Sequence, residues 1–197
     1  DRYIFLAYNR NMRLRNVTIR RAWQWLLRIV LSAACIAMLA FIFSNSLKTG
    51  EQSSQQSSTV VKVVQDVASV VAPNSAVAKA TGEAYERLHT WVRMVAHFFE
   101  FAFFGGLLLW CIASYTWREA GLWCALGGVC LVPMIDESLQ YFVAGRGAEF
   151  FDVCTDVAGG ICGILFALVV LLFIVGAQDK RQSKRRRKQE ALSARNA

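Results

Sequence analysis

Two ionisable residues one helical turn apart form the most chemically suggestive pair in this sequence. His97 and Glu100 are three positions apart, so a helix would place both side chains on one face. An imidazole beside a carboxylate is suited to general acid–base catalysis, with Asp136 as a further candidate catalytic group. The same pair is equally suited to a hydrogen bond that holds two helices together, and the sequence leaves both interpretations open.

A group of carboxylates in the C-terminal half is suited to binding a hard cation. Asp136 precedes Gln140 by one helical turn, and Glu137 lies beside it. Asp152 and Asp156 are likewise four positions apart. Because oxygen ligands favour Mg²⁺ or Ca²⁺, we predict a divalent cation at Asp136, Asp152 and Asp156. The alternative is that these carboxylates cap helix N-termini and pair with arginines.

Two arginines are suited to anion recognition. Arg93 and Arg146 each carry a planar guanidinium group, which binds phosphate or carboxylate with two hydrogen bonds. Compensation of the neighbouring carboxylates is the alternative role. For Ser44 and Ser46, capping of a helix end is the alternative to ligand contact. The predicted ligand-binding set is Arg93, Glu137, Gln140, Arg146, Ser44 and Ser46.

The composition indicates that a membrane protein positions these residues. The 197 residues are 55% hydrophobic and 18% charged, whereas soluble domains have roughly 25% charged residues; the mean hydropathy is +0.36. This balance excludes a soluble two-domain enzyme and a disordered chain. Four segments are long and apolar enough to cross a bilayer: Ala22–Phe43, Val95–Tyr115, Ala120–Ile135 with a continuation past Pro133 toward Phe142, and Val157–Val175.

The charge distribution predicts the orientation of these spans. Residues 1–28 and 176–197 each carry a net charge of +6, whereas the residues between them carry −4. Because basic segments stay cytoplasmic, both ends are predicted on the cytoplasmic side, which requires an even number of crossings. Four spans satisfy this condition and give an all-α integral membrane bundle. They also place 44–94 and 136–156 on the extracytoplasmic side, together with the polar residues described above.

The segment between the first two spans is too long for a bare loop. A Ser- and Gln-rich run at 53–58 offers helix N-caps, and valines follow it at helical spacing up to Val71. Pro73 breaks the pattern, and a second amphipathic helix that carries Val77 and Trp91 is predicted to lead into the second span. The sequence therefore predicts an extracytoplasmic helical hairpin.

Small residues in the fourth span predict close helix packing. Gly159, Gly160 and Gly163 lie on nearly the same side of a helix as the two aspartates before them. Such a strip lets a neighbouring helix approach closely within a membrane.

Three short motifs follow one another in order within residues 41–165. They are Phe43-Ser44-Asn45-Ser46 with Gly50 and Ser57, His97-Phe98-Phe99-Glu100-Phe101, and Asp136-Glu137-Ser138-Leu139-Gln140 followed by Gly145-Arg146, Asp152, Asp156 and Gly159. As an ordered set, they resemble the signatures of the VanZ-like membrane proteins. Two positions depart from the family pattern, since Phe101 stands where Tyr is usual and Ala144 stands where Pro is common before Gly-Arg.

The resemblance implies a compartment and a phenotype, but no particular reaction. VanZ-like proteins are associated with glycopeptide antibiotic resistance, in particular to teicoplanin, which implies the bacterial cytoplasmic (inner) membrane. The implied organisation is a basic cytoplasmic segment at 1–21, a VanZ-like four-span domain at 22–175 and a basic cytoplasmic tail at 176–197. The extracytoplasmic helical insert within that domain occupies 48–92.

The function that fits these features best is an outward-facing polar pocket that binds or processes an amphipathic cell-envelope molecule. The candidate ligands are a lipid-linked phosphate intermediate and a lipoglycopeptide, with the apolar tail between the spans. Enzyme activity stays open; it would be hydrolysis or group transfer on the lipid-linked head group. The alternatives are a proton-coupled secondary transporter that uses Glu100 and Asp156, and a noncatalytic partner in an envelope complex. The basic ends are predicted to contact the lipid bilayer and not nucleic acid.

Overall fold

Helices are the only regular structure in the residues that the structure describes. The computed structural model describes residues 2–116 and 119–195, and the side-chain surroundings of 21–116, 119–184 and Arg187. Backbone amides in a bilayer must find partners within their own segment, so apolar segments of this length fold as helices. The five helices are α1 (Arg2–Ser46), α2 (Gly50–Val71), α3 (Glu83–Tyr115), α4 (Glu119–Tyr141) and α5 (Phe150–Arg195).

Four of these helices are long and apolar enough to span a membrane. The candidate spans are Arg21–Ser46, Glu83–Tyr115, Glu119–Tyr141 and Phe150–Lys184. They confirm the four predicted segments and the all-α bundle, and each extends beyond its predicted limits. Because α4 continues through Pro133, Asp136 and Gln140 lie on the helix itself.

The third and fifth helices run parallel in close backbone contact. A Cβ atom added to Gly159 of α5 would overlap the carbonyl oxygen of Phe98 in α3, and one added to Gly163 would overlap that of Ala102. The glycines therefore remove the side chains that would hold the two backbones apart, as the small-residue strip predicts. We call this contact of Gly159 and Gly163 with Phe98 and Ala102 the glycine seam.

Apolar side chains fill the interior between the spans. Phe101 and Phe104 of α3 are no more than 1% exposed, and they share the core with Ile42 of α1, Val129 of α4 and Ile164 of α5. A buried tyrosine hydroxyl requires a hydrogen-bond partner. The complete burial of Phe101 is therefore compatible with its departure from the usual Tyr.

The hairpin after the first span forms, but its first helix starts earlier than predicted. The Gln52 amide donates to the Thr49 hydroxyl, and the Thr49 amide donates to the Gln52 side chain. This capping box starts α2 before the Ser- and Gln-rich run, which therefore lies inside the helix. The prediction of an N-cap within 53–58 is wrong for this reason.

The second helix of the hairpin starts later than predicted and is continuous with the second span. Val77 lies in the turns that separate α2 from α3, so its assignment to this helix is wrong. The helix begins at Glu83, after Gly82 with a φ of 55° that interrupts helical geometry. The Gln65 side chain holds the turn by donating to the carbonyls of Val77 and Ala80 at 3.3 and 2.9 Å.

Candidate functional site

Buried polar side chains gather at one end of the bundle, where α1 and α4 end and α5 begins. Among the residues whose burial is described, they are Ser46, Asp136, Glu137, Gln140 and Asp156. We call these five residues the polar layer. Ionisable groups within a span need polar partners or a polar cavity, so this end is the candidate site.

Asp136 is the centre of a hydrogen-bond network that joins two spans. It is 1% exposed. The Ser46 hydroxyl of α1 donates to its Oδ1, and the Gln140 side-chain amide donates to its Oδ2 at 2.8 Å. The structure thus brings three predicted site residues together. Because both oxygens of Asp136 already accept a hydrogen bond, its evident role is to hold α1 against α4.

A cavity of about 160 Å³ lies beside this network. Arg93, His97 and Glu100 line it from α3 because spacings of four and three place them on one helix face. Arg146 lines it from the loop between α4 and α5. The other lining residues are Asn45, Ser53, Gln56, Ser57, Val60, Val92 and Ala96. We call this space the arginine cavity.

The Glu100 carboxylate is oriented by residues at the end of the first span and just after it. Asn45 Nδ2 donates to Glu100 Oε1 at 3.4 Å, and Lys48 Nζ donates to Asn45 Oδ1 at 2.8 Å. Lys48 also donates to Gln56 Oε1 at 3.1 Å. These bonds connect the carboxylate on α3 with the end of α1 and with α2, so they fix the wall of the arginine cavity.

Arg146 joins the ends of two helices. Its Nη1 donates to the carbonyls of Asn45 and Ser46 at 3.3 and 3.2 Å, and its Nη2 donates to Ser53 Oγ at 2.9 Å. The two carbonyls belong to the last turn of α1, where the helix dipole favours a cation. Burial and the nearby Arg93 lower the pKa of Arg146 from its ordinary value, yet a guanidinium stays protonated at neutral pH.

The loop that carries Arg146 docks directly on the turn after α1. The Gly50 amide donates to the Ala144 carbonyl at 3.1 Å, and a Cβ atom on Gly50 would overlap the Gly145 carbonyl oxygen. Gly145 has a φ of 74°, which glycine adopts without strain. Ala144 supplies only its carbonyl to this contact, and the Pro that is common at this position would supply the same group.

A second cavity, of about 10 Å³, lies between α3 and α5. Arg93, His97, Asp152 and Asp156 line it together with Met94 and Thr155. Arg93 and Asp152 form an ion pair at 3.4 Å. His97 Nδ1 and Asp156 Oδ1 are buried, and neither has a hydrogen-bond partner among the described residues. His97 therefore borders both cavities.

Four of the six predicted ligand-binding residues do not line the arginine cavity: Ser46 and Gln140 bond to Asp136, and Ser44 and Glu137 lie elsewhere. Ser44 is exposed, and its hydroxyl donates to the Phe41 carbonyl at 2.9 Å, one turn back on its own helix. Glu137 accepts the Glu149 amide at 2.5 Å and lines a different, mostly apolar cavity of about 580 Å³. Ser44 therefore bonds within its own helix, and Glu137 anchors the loop before α5.

The predicted cation site has no ready-made ligand cage. Among the side chains of residues 21–116, 119–184 and Arg187, no three His, Cys, Asp or Glu groups are arranged to hold a metal ion. Asp152 and Asp156 line the small cavity, whereas Asp136 is occupied by Ser46 and Gln140. The divalent cation stays a prediction, and the proposed function does not require it.

One wall of the arginine cavity is formed by α2, and none of its residues is among the predicted site residues. Ser53, Gln56, Ser57 and Val60 line the cavity from this helix. Their spacing of three, four and seven is a polar helix face, and this pattern is the signal that would have identified them. The sequence alone does not indicate that this face turns toward α3.

The family comparison covers the whole site. The VanZ/LLP1 family model matches residues 31–173, which is more than half of the chain and includes every residue that lines the arginine cavity. No curated protein and no solved structure matches the chain. The chain therefore belongs to the VanZ/LLP1 family.

Proposed function

We propose that the arginine cavity binds the phosphorylated head group of an amphipathic lipid of the cell envelope. The observation that carries this proposal is the presence of two guanidinium groups, Arg93 and Arg146, with His97 and Glu100 on the wall of one cavity. Guanidinium groups bind phosphate through charge-assisted hydrogen bonds, which are the strong ones in proteins. Membership of the VanZ/LLP1 family links such a membrane protein to glycopeptide resistance.

The size of the cavity favours one of the two candidate ligands. Pockets that enclose drug-sized molecules measure roughly 300–1,000 Å³, whereas the arginine cavity measures about 160 Å³. This volume suits a phosphate or diphosphate head group better than the polar body of a lipoglycopeptide. A lipid-linked phosphate intermediate is therefore the ligand that we propose, with its apolar tail along the spans.

The proposed function is binding of the head group, and acid–base catalysis on that head group is a further step at the same cavity. His97 borders the cavity and approaches Asp156 on its other side, while Glu100 is oriented by Asn45. In a hydrolysis or transfer on the head group, His97 would exchange the proton and Glu100 would orient the attacking group. Asp136 would act as a positioning residue, because its oxygens hold Ser46 and Gln140.

The packing below the polar layer favours a binding pocket over a transport path. Phe101, Phe104, Val129 and Ile164 fill the interior there, and each is no more than 2% exposed. A proton-coupled transporter that uses Glu100 and Asp156 requires a polar route through these residues. The described interior is apolar at this level, so we propose no transport.

We further propose that the cavity faces outward from the bacterial cytoplasmic membrane, with both chain ends in the cytoplasm. The net charge of +6 at each end supports this orientation. A single cysteine introduced at the exposed Ser54, in a variant without native cysteines, is expected to react with an impermeant maleimide on intact cells. Labelling only after membrane disruption would show the opposite orientation and overturn this proposal.

Binding is tested with a short-chain polyprenyl diphosphate added to the detergent-solubilised protein. Arg93→Gln is expected to weaken binding about tenfold, because it removes a charge-assisted interaction. The matched control is Arg87→Gln, since Arg87 lies on the same helix but is exposed and pairs only with Glu83 at 3.9 Å. Equal affinity of the wild type and Arg93→Gln, or the same loss in both variants, would overturn the proposal.

A further inference from the structure

Arg28 lies at the end of the bundle opposite the polar layer and is held in a fixed position. Its Nε donates to the Ser114 carbonyl at 2.8 Å, which joins α1 to the last turn of α3. Its guanidinium carbon lies 4.9 Å from the centre of the Trp25 ring and 5.2 Å from that of Tyr115. The Ser32 hydroxyl lies 3.1 Å from the Tyr115 hydroxyl, so the second ring is itself fixed.

These contacts leave the two terminal nitrogens of Arg28 without an anion. Capping of the Ser114 carbonyl at the end of α3 explains the hydrogen bond of Arg28 Nε. It does not explain the position of the two terminal nitrogens. Among the side chains that the structure describes, no carboxylate forms an ion pair with Arg28. The stacked rings orient the guanidinium plane without neutralising its charge. The fork that remains is the part of arginine that binds phosphate with two parallel hydrogen bonds.

The depth of Arg28 in the bilayer indicates which anion is present there. It directly precedes the uncharged, mostly apolar stretch 29–43 and is level with Ser114 at the end of the second span. A half-buried arginine at this point extends to the boundary between hydrocarbon and head groups. Phosphate is the anion that phospholipids supply at this boundary, and the exposed rings of Trp25 and Tyr115 suit the same level.

We infer that Arg28, Trp25 and Tyr115 form a second anion site, which binds the phosphate of an anionic phospholipid at the inner boundary of the membrane. The site lies at the other end of the bundle from the arginine cavity and does not depend on the function proposed for that cavity. Occupation would clamp α1 to α3 where the Arg28–Ser114 hydrogen bond already joins them.

Native mass spectrometry of delipidated protein tests this site. The protein is reloaded with phosphatidylglycerol, with phosphatidylcholine or with inorganic phosphate, and the bound adducts are counted. Phosphatidylglycerol is expected to be retained at least tenfold better than phosphatidylcholine. Retention of inorganic phosphate to the same degree as phosphatidylglycerol would overturn the lipid assignment and leave a free-phosphate site.

Variants separate a built site from general charge attraction. Arg28→Gln is expected to lower phosphatidylglycerol retention about tenfold, and Arg28→Lys to lower it by a smaller factor, because lysine keeps the charge but not the planar fork. Arg21→Gln is the matched control, since Arg21 lies on the same helix and is exposed. An equal loss in Arg21→Gln and Arg28→Gln would overturn the inference.

A third variant keeps the test decisive where Arg28→Gln fails to fold. Trp25→Leu leaves the Arg28–Ser114 hydrogen bond in place and removes one of the two rings that orient the guanidinium group. It is expected to reduce phosphatidylglycerol retention while the protein stays monodisperse. If folded Trp25→Leu retains phosphatidylglycerol as well as the wild type does, the Trp25 ring is not part of the site and the inference is overturned.

Discussion

The glycine seam and the polar layer lie next to each other, yet they use their residues in opposite ways. In the seam, α3 and α5 meet backbone to backbone because Gly159 and Gly163 have no side chains. In the polar layer, contact is made by side chains, and Asp136 alone joins Ser46 to Gln140. The seam therefore depends on the absence of side chains, whereas the polar layer depends on side chains that are present.

The polar layer and the cavities beside it contain polar groups that are bonded within the protein and polar groups that are not. Both oxygens of Asp136 accept hydrogen bonds within the protein, whereas Arg146 donates three to α1 and α2 and also lines the arginine cavity. His97 Nδ1 and Asp156 Oδ1 have no partner among the described residues. Stability should therefore depend mainly on Asp136, ligand binding mainly on Arg93 and His97, and both on Arg146, which mutation can test.

A side chain in the glycine seam should have the largest effect. Gly163→Val is expected to lower the free energy of unfolding by about 3 kcal/mol or more, because its Cβ would overlap the Ala102 carbonyl oxygen. Thermal unfolding and size-exclusion chromatography in detergent measure this loss. Gly127→Ala is the control, since nothing lies within 4 Å of its added Cβ, and it should unfold at or above the wild-type temperature. A monodisperse Gly163→Val protein of wild-type stability would mean that the seam is not close-packed.

Removal of the central carboxylate should have the next largest effect. Asp136→Ala is expected to cost about 2 kcal/mol of unfolding free energy, because the Gln140 amide loses its buried acceptor and the Ser46 hydroxyl keeps only the Ile42 carbonyl of its own helix, so it no longer joins α1 to α4. Thermal unfolding is again the measurement. Ser138→Ala is the matched control on α4, since Ser138 is exposed and donates only to the Met134 carbonyl. Equal stability of the two variants would contradict a structural role for Asp136.

Loss of the guanidinium fork of Arg146 should have a smaller effect. Arg146→Lys is expected to cost about 1–2 kcal/mol, because one ammonium group does not reach the Asn45 and Ser46 carbonyls and Ser53 together. Hydrogen exchange of residues 142–149 is expected to increase, since this loop loses its anchor on α1. Arg87→Lys serves as the control at an exposed position. Unchanged exchange in the loop would show that the Gly50–Ala144 hydrogen bond alone holds it.

The smallest effect on stability is expected where the effect on ligand binding is largest. Arg93→Gln removes a partly exposed ion pair with Asp152 and should cost less than about 1 kcal/mol. The same variant should weaken binding of the polyprenyl diphosphate, as described for the arginine cavity. A loss of stability as large as that of Asp136→Ala would show that Arg93 is a structural residue. The contrast between residues for stability and residues for ligand binding would then be wrong.

Much of the fold follows from patterns that are local in the sequence. Apolar length predicts four spans, and the glycines that begin at Gly159 predict a close helix contact. The limits of the hairpin are predicted less well, since the capping box at Thr49 competes with several later Ser residues for the start of α2. At the other limit, Gly82 delays the next helix beyond Val77, although the apolar spacing continues through that residue.

The candidate site is only partly predictable, because helix rotation and loop docking are tertiary features. Ser44 and Ser46 are two positions apart, so they point in different directions, and only Ser46 reaches Asp136. The signal that distinguishes them is the spacing of four between the buried Ile42 and Ser46. No comparable signal places Arg146 on the end of α1, since that contact joins residues a hundred positions apart.

Four aromatic rings flank the Arg146 loop at the end of the bundle that holds the arginine cavity. Tyr141 ends α4, Phe142 begins the loop, Phe150 and Phe151 begin α5, and all four side chains are largely exposed. Aromatic rings settle at the boundary between hydrocarbon and water. With the proposed binding function, these rings would hold the arginine cavity at the level of the lipid head groups. A lipid phosphate would then reach Arg93 while its apolar tail stays in the bilayer.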